Sequence, residues 1–457
     1  MILLPMIKGI IAELTRLQTL PAPYRDENDA PSLPRMIATG NYGSIIVSRE
    51  IDENIVAVAK KLMDDDPALK IKSTHKEWIA SVRRAFGPVL AALDLNADPD
   101  TNAKTVLNEI RTALGNQVSG YGIREFAFGC TLFDSADIKA FVIGPVRFEP
   151  RQVWLDRKHQ DVSISKVTCR RVKQAWSRKY LRKRKSSQDS LCEKDILDSV
   201  GGCLFVCSVS TNGLAAETGR EKALTAARMA TAAIALLWPT PSLALDGMNL
   251  LFDRKLHLQN ILTFIPGKIR LFESRLSHRP HGPLIKTDDW GETFANYSKH
   301  FAVVGDFLHF MVDSTGNVSR PNMMNTLAQA LLWFHEGCRE TTSLMAIVKF
   351  SATLDALACG KKSAGIRQLI KARLGLQDTD PIHTGGPTTL KQAVDAIYCD
   401  GRSRTIHGTN DKLGHDWAGT RGIAEQFARL CLLTCIEWAS SNSTSDDPKQ
   451  MAKVNER

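Results

Sequence analysis

Apolar residues return every three or four positions over 49–63, 76–95 and 103–114, the period of helices that bury one face. The first twenty residues share that period. There Lys8 and Glu13 interrupt an apolar start that lacks a basic lead-in and a small-residue cleavage site, so an amphipathic helix is expected rather than a leader. Pro21, Pro23, Pro31 and Pro34 make a proline-rich connection after it. Over 125–156 the pattern shifts to β-branched and aromatic residues with short turns, as in Phe141-Val142-Ile143 and Val146-Arg147-Phe148, which predicts strands.

A buried strand is expected at 203–209, followed by a long alanine-rich helix over 215–238 and further strand-like runs at 261–265 and 269–273. The stretch 288–312 reads as one helix whose Trp290, Phe294, Tyr297, Phe301, Phe307 and Phe310 make an aromatic stripe, a pattern that belongs to a core or a domain interface. After a polar connector at 314–320 the pattern is helical throughout: 325–338, 343–358, 364–374, a turn-rich loop over 378–388, a helix through Leu390, Val394 and Ile397 into Arg402 and His407, and a long helix over 418–438. The fold class expected is α+β, with a mixed α/β N-terminal region followed by a C-terminal all-α bundle. The boundaries suggested are a helical and strand region at 1–160, a basic helix plus mixed α/β region at 161–317, the bundle at 318–445 and a polar tail at 446–457.

At 457 residues the chain is long for one core, and 43% hydrophobic with 24% charged residues is ordinary globular composition. The net charge of +10 has a local origin, because 166–185 holds ten Lys or Arg and no Asp or Glu. Read as a helix over 165–185, this segment is either a solvated cationic face or a backbone-tracking patch for nucleic acid. In the second case Arg170, Arg171, Arg178, Lys179, Arg182, Lys183 and Arg184 meet phosphates while Trp176 and Tyr180 stack on bases. Ten scattered cysteines without Cys-x-x-Cys spacing suit reduced thiols, and with no stretch of about 20 apolar residues a cytoplasmic protein without a membrane span is expected.

Two motifs are set aside. Gly360-Lys361-Lys362-Ser363 lacks the leading glycine of a phosphate loop and follows a helix, so it reads as a helix-ending turn. His278 and His281 flank a proline with no third ligand nearby, so no metal and no cofactor are expected.

Candidate chemistry gathers at Tyr398, Arg402-Ser403 and His407-Gly408. On an α-helix Arg402 and His407 lie about 140° apart and can lean over one groove, with Ser403 on the histidine's face. Spacing alone equally describes a solvated face or a cap. An arginine fork matches phosphate oxygens, and a histidine transfers protons in both directions near neutrality.

This pattern, with the paired helices around Ala330-Leu331-Leu332-Trp333-Phe334 and Leu354-Asp355-Ala356-Leu357, resembles the HEPN superfamily and more narrowly its Apea-like branch, over roughly 325–440. The chain departs from the family in having Asp355 where glutamate is common, and Gly401 within the motif helix costs about 1 kcal/mol against alanine and suggests a bend. The resemblance implies a metal-independent endoribonuclease of toxin or antiviral-defence type. RNA's own 2′-hydroxyl would attack, His407 would act as base or acid, Arg402 would hold the phosphoryl oxygens, Ser403 would orient the histidine or bind phosphate, and Asp355 would position Arg402. Arg404 is a second cation that would serve phosphate binding or remain solvated. The resemblance further implies a homodimer that brings two motifs to one cleft, with RNA as partner and room for a regulatory or neutralising protein. The alternative is a non-catalytic nucleic-acid or nucleotide-binding and dimerisation module.

Overall fold

In this computed structural model the described residues are 3–19, 35–40, 43–253, 258–276, 283, 285–316, 318–383 and 386–453, with 258–264 and 268–276 described as backbone alone. The proline-rich connection and the His278/His281 pair lie outside them. The chain forms two compact units. One comprises Met1–Arg124, Thr211–Lys222 and Asp313–Thr315; the other comprises Glu125–Ser210, Ala223–Val312 and Gly316–Arg457. The units change over at 124/125, 210/211, 222/223, 312/313 and 315/316, whereas the hydrophobic pattern suggests boundaries at 160/161 and 317/318.

The first unit contains α1 (Leu3–Thr19), β1 (Arg35–Ala38), β2 (Ser44–Val47), α2 (Arg49–Asp65), α3 (Pro67–Lys72), α4 (His75–Ala91) and α5 (Pro99–Ser119). Helix starts are fixed by side-chain caps: Ser48 accepts from Ile51 N–H, Thr74 from Glu77 N–H, and Asp98 from Thr101 N–H. The apolar faces predicted from periodicity meet in a core that fully buries Ile7, Ile51, Ile55, Val58 and Phe86. Trp78 joins them because its Nε1–H finds Ala59 O at 2.9 Å.

The second unit opens with β3 (Arg124–Cys130), β4 (Phe141–Ile143) and β5 (Val146–Pro150), then α6 (Arg151–Gln160), α7 (Lys166–Trp176) and α8 (Gln188–Val200), then β6 (Phe205–Thr211). These strands form a sheet in the order β3-β6-β5-β4, with β5 antiparallel to both β4 and β6. β6 is buried along most of its length because alternate side chains enter different cores. Phe205, Cys207 and Val209 face the large one, while Val206 meets Trp154, Leu155, Val172 and Ile196 from the three helices on the other face.

The remainder is α9 (Ala216–Ala235), α10 (Pro241–Gly247), a separate antiparallel pair β7 (Leu258–Ile265) and β8 (Lys268–Leu276), then α11 (Thr287–Asn296), α12 (Ser298–Val312), α13 (Pro321–Cys338), α14 (Ser343–Leu357), α15 (Lys362–Leu374), α16 (Leu390–Asp395), α17 (Arg404–Ile406) and α18 (Ala418–Ser441). The expected helix over 288–312 is broken at Tyr297, which is exposed, but the rest of its aromatic stripe does pack inward, with Phe294 stacked on Phe301 at 4.8 Å. One continuous core runs from the sheet through α9 and α12 into the bundle, burying Phe148, Ala230, Phe307, Phe334, Phe350 and Leu432 together.

Two segments read as connectors are structural. Arg320, buried at the end of the polar 314–320 stretch, donates to Ala439 O (2.7 Å) and Asn442 O (3.2 Å) at the C-terminal end of α18, where carbonyls lack helical partners. The expected polar tail also docks. Asp446 accepts from Met323 N–H at 2.9 Å and thereby caps α13, and Met451 is fully buried.

An ion-pair network ties β3 to α6. Arg157 donates to both Glu125 (3.1 and 3.2 Å) and Glu149 (closest 2.6 Å), and Lys158 donates to Glu125 at 2.9 Å. Burial alone would raise the Glu125 carboxyl, but the hydrogen bonds from Arg157 and Lys158 outweigh it and hold the pKa at about 2, below its ordinary 4.5. A depressed folded value stabilises above the unfolded one and is lost as pH falls through the folded one. Unfolding by urea should therefore become easier as pH drops from about 5 towards 2, and Glu125→Gln should flatten that dependence while lowering stability near neutrality.

Candidate functional site

α16 starts at a capping box, in which Thr389 and Gln392 each accept the other's backbone N–H. It then runs on as a π-helical turn over Ala396–Ser403 and closes in the short α17. From the sequence, Gly401 suggests a bend. The helix is instead widened there, with i→i+5 bonding, a form that occurs mostly as single turns inside α-helices. Packing gives the reason for the glycine: a Cβ at 401 would lie 2.7 Å from Ile347 Cγ2 on α14 and 3.2 Å from Ala396 O. The π turn is thus pressed against α14 by the one residue type that allows it.

Arg402 is half-buried and organised by Tyr398. Its Nη1 donates to the tyrosine hydroxyl at 3.2 Å, and its guanidinium lies 5.0 Å from the ring centre. Burial, with the charge of Asp355 next, raises the Tyr398 pKa, so the phenol is neutral across the physiological range. Among the described residues, Arg402 Nε–H is buried without a hydrogen-bond partner. Unpaired buried donors are rare in folded proteins, which marks this guanidinium as incompletely used by the fold.

Asp355 does not hold Arg402. Its carboxylate accepts Lys362 N–H at 3.0 Å across the turn between α14 and α15, so the expected contact is replaced by a backbone cap and reaches the site only as a charge near Tyr398. Ser403 is half-buried, and its carbonyl accepts His407 N–H at 3.0 Å. His407 ends the helix and is exposed; Gly408 follows with φ +69°, the left-handed conformation that closes a helix, and Thr409 N–H bonds back to Arg404 O at 2.9 Å.

Arg404, the second cation of the motif, lies between Asp400 (3.5 Å) and Asp411 (3.3 Å). Asn410 fastens the following loop by donating to Asp400 O and to Thr405 Oγ1 at 2.9 Å. Arg402 and His407 are therefore the chemistry left open. Sequence reasoning included Tyr398 in the pattern without a role; its position four residues before Arg402 was the available signal. The roles of Asp400 and Asp411 went unseen, since Asp411 comes near only when the loop folds back.

The basic segment is not one helix. α7 ends at Trp176, and Arg178 takes a left-handed φ of +54° that turns the chain back. Arg171 pairs with Glu193 (2.7 Å), and Arg184 pairs with Asp189 (2.9 Å) and approaches Glu193, so both are committed to α8. Arg170, Arg178, Lys179, Arg182 and Lys183 are exposed. Trp176 is half-buried, with Arg151 over its ring at 4.9 Å and its Nε1 buried, whereas Tyr180 is 87% exposed.

Among the described residues no cluster of three His, Cys, Asp or Glu is arranged to hold a metal, and no single helix is long and apolar enough to cross a membrane. No family model, curated protein or solved structure matches this chain.

The fit of Gly401 on α14 can be measured. Helix propensity favours Gly401→Ala by about 1 kcal/mol, but overpacking against a β-branched neighbour typically costs about 1–3 kcal/mol. A net loss of stability in urea unfolding is expected, and combining the change with Ile347→Ala should cost less than the sum of the two single losses.

Proposed function

We propose that the chain is a metal-independent endoribonuclease effector, of toxin or antiviral-defence type, acting on cytoplasmic RNA through Arg402 and His407. The reading begins from the HEPN-like pattern Tyr398, Arg402-Ser403, His407-Gly408. The observation that carries it is the state of Arg402: a half-buried guanidinium, oriented by Tyr398 and retaining an unpaired Nε–H, close in sequence to an exposed histidine.

The chemistry asks little of the protein. The substrate's 2′-oxygen attacks the adjacent phosphorus as its proton passes to a base, the bond to the 5′-oxygen breaks, and that oxygen takes up a proton. The products are a 2′,3′-cyclic phosphate and a 5′-hydroxyl. Arg402 would bind the phosphoryl oxygens, where charge accumulates, by charge-assisted hydrogen bonds. His407 supplies one proton-transfer group. A two-fold pairing of motif helices would bring a second His407 to the same phosphate, so that one takes the proton and the other gives it. Ser403, half-buried one residue beyond Arg402, would bind phosphate or steady the histidine. Asp355 would contribute only through its charge.

The test is incubation of the purified protein with total RNA in excess chelator, beside His407→Ala and Arg402→Ala proteins of matched circular dichroism. Cleavage leaving cyclic phosphate ends is expected, with His407→Ala slowing it by about 10²–10⁴-fold, the usual share of a proton-transfer group, and Arg402→Ala by about 10²–10³-fold, the usual share of a charge-stabilising donor. Cleavage that survives both changes would remove these residues from the site. RNA left intact by all three proteins would favour the non-catalytic nucleic-acid or nucleotide-binding module.

A further inference from the structure

A groove of about 540 Å³ lies beside α6 and α7, lined by Asp156, His159, Lys166, Arg170, Lys173 and Lys179. That volume falls within the range of small-molecule sites. Four cations and one carboxylate face it, and the carboxylate, Asp156, is already paired with Lys173. The groove is therefore cationic overall.

The placement of these charges carries the argument. Lys166, Arg170 and Lys173 are spaced by four and three residues, which stacks them on one stripe of α7. Like charges at that spacing repel and weaken a helix. The neighbouring Arg171, on another face, shows how such charge is ordinarily settled, by a carboxylate on α8. Among the described residues, the groove-facing stripe lacks that settlement for Lys166 and Arg170. Lys179 joins from beyond the helix, because the left-handed Arg178 folds the chain back and Lys179 N–H bonds to Gln174 O at 3.0 Å. A non-glycine residue rarely adopts that conformation. His159 adds a directed group: its Nδ1–H donates to Ile164 O at 2.9 Å, which leaves Nε2 for another partner. Val167, Cys169 and the aliphatic stems of the cations give the groove an apolar lining.

We propose that this groove binds a small ligand carrying two or more adjacent phosphates, of the nucleoside di- or triphosphate class, with Lys166, Arg170, Lys173 and Lys179 on its phosphates. A compact polyphosphate concentrates its charge where these cations line one groove, whereas a nucleic-acid strand spaces its charges along a backbone and would engage the exposed Arg182 and Lys183 as well. The groove's lining includes neither Arg402 nor His407, and its test reads binding rather than RNA cleavage.

The experiment is calorimetric titration of the full chain with ATP, with inorganic triphosphate as competitor and a single-stranded oligonucleotide as a separate ligand. Saturable ATP binding displaced by triphosphate is expected. Arg170→Glu and, independently, Lys179→Glu should weaken it by about tenfold or more, the worth of one charge-assisted contact, while Lys194→Glu, an exposed cation on α8 outside the groove, should leave it within about twofold. All three substituted residues are exposed, and unchanged thermal melting confirms folding. Absence of ATP binding at millimolar concentration, equal losses in all three variants, failure of triphosphate to compete, or binding of the oligonucleotide alone would each overturn the proposal.

Discussion

How near one helix can come to another governs the candidate site. α14 presents Ile347, a stiff β-branched side chain, and only a residue without a Cβ fits against it at position 401. The motif helix is held there while its winding loosens into a π turn. Tyr398 is drawn into the core, where its ring and hydroxyl orient Arg402, and the same helix carries His407 out to solvent. A long, shared core makes that contact rigid: Ile347 belongs to the same packed set as the sheet residues Phe148 and Phe205. The bundle is therefore not a module loosely attached to the rest of its unit.

Charge is divided along a similar line between groups the fold consumes and groups it leaves available. Arg404, Arg171, Arg184 and Arg157 each meet carboxylates supplied by a different turn or element. Such pairs order the surface but add little affinity for outside anions. Arg402, and the stripe of Lys166 and Arg170, are not neutralised in this way. The excess charge of the chain is thus less informative than its distribution, and the distribution is a property of the fold.

Much of the fold was legible because burial imposes a period. The helices of 343–357 and 418–441, the buried strand β6 and the inward aromatic stripe all follow from the spacing of apolar residues. The close fit at the π turn was not legible, since Gly401 answers to Ile347, more than fifty positions away in sequence. The division into units escaped notice because alanines of α9 and aromatics of α12 look the same whether they close one core or two. The partner of Arg402 was misassigned for a local reason: Asp355 is followed by a tight turn whose free N–H groups compete for its carboxylate. The end of α7 was missed because nothing in a run of cations announces a left-handed arginine.

A π turn also makes the length of a helix part of the site. It holds one residue more than an α-helix joining the same two ends would need. A chain shortened by a single position between 396 and 403 could keep its capping box and every side chain of the motif, yet return to α winding. Everything beyond the deletion, His407 included, would then stay in place, whereas the full-length segment wound as an α-helix would turn those residues by about 100° around the axis. Sequences that carry this arrangement are thus separated from those that lack it by a count of residues as well as by their identities, and a comparison that scores letters without counting them would treat the two as alike.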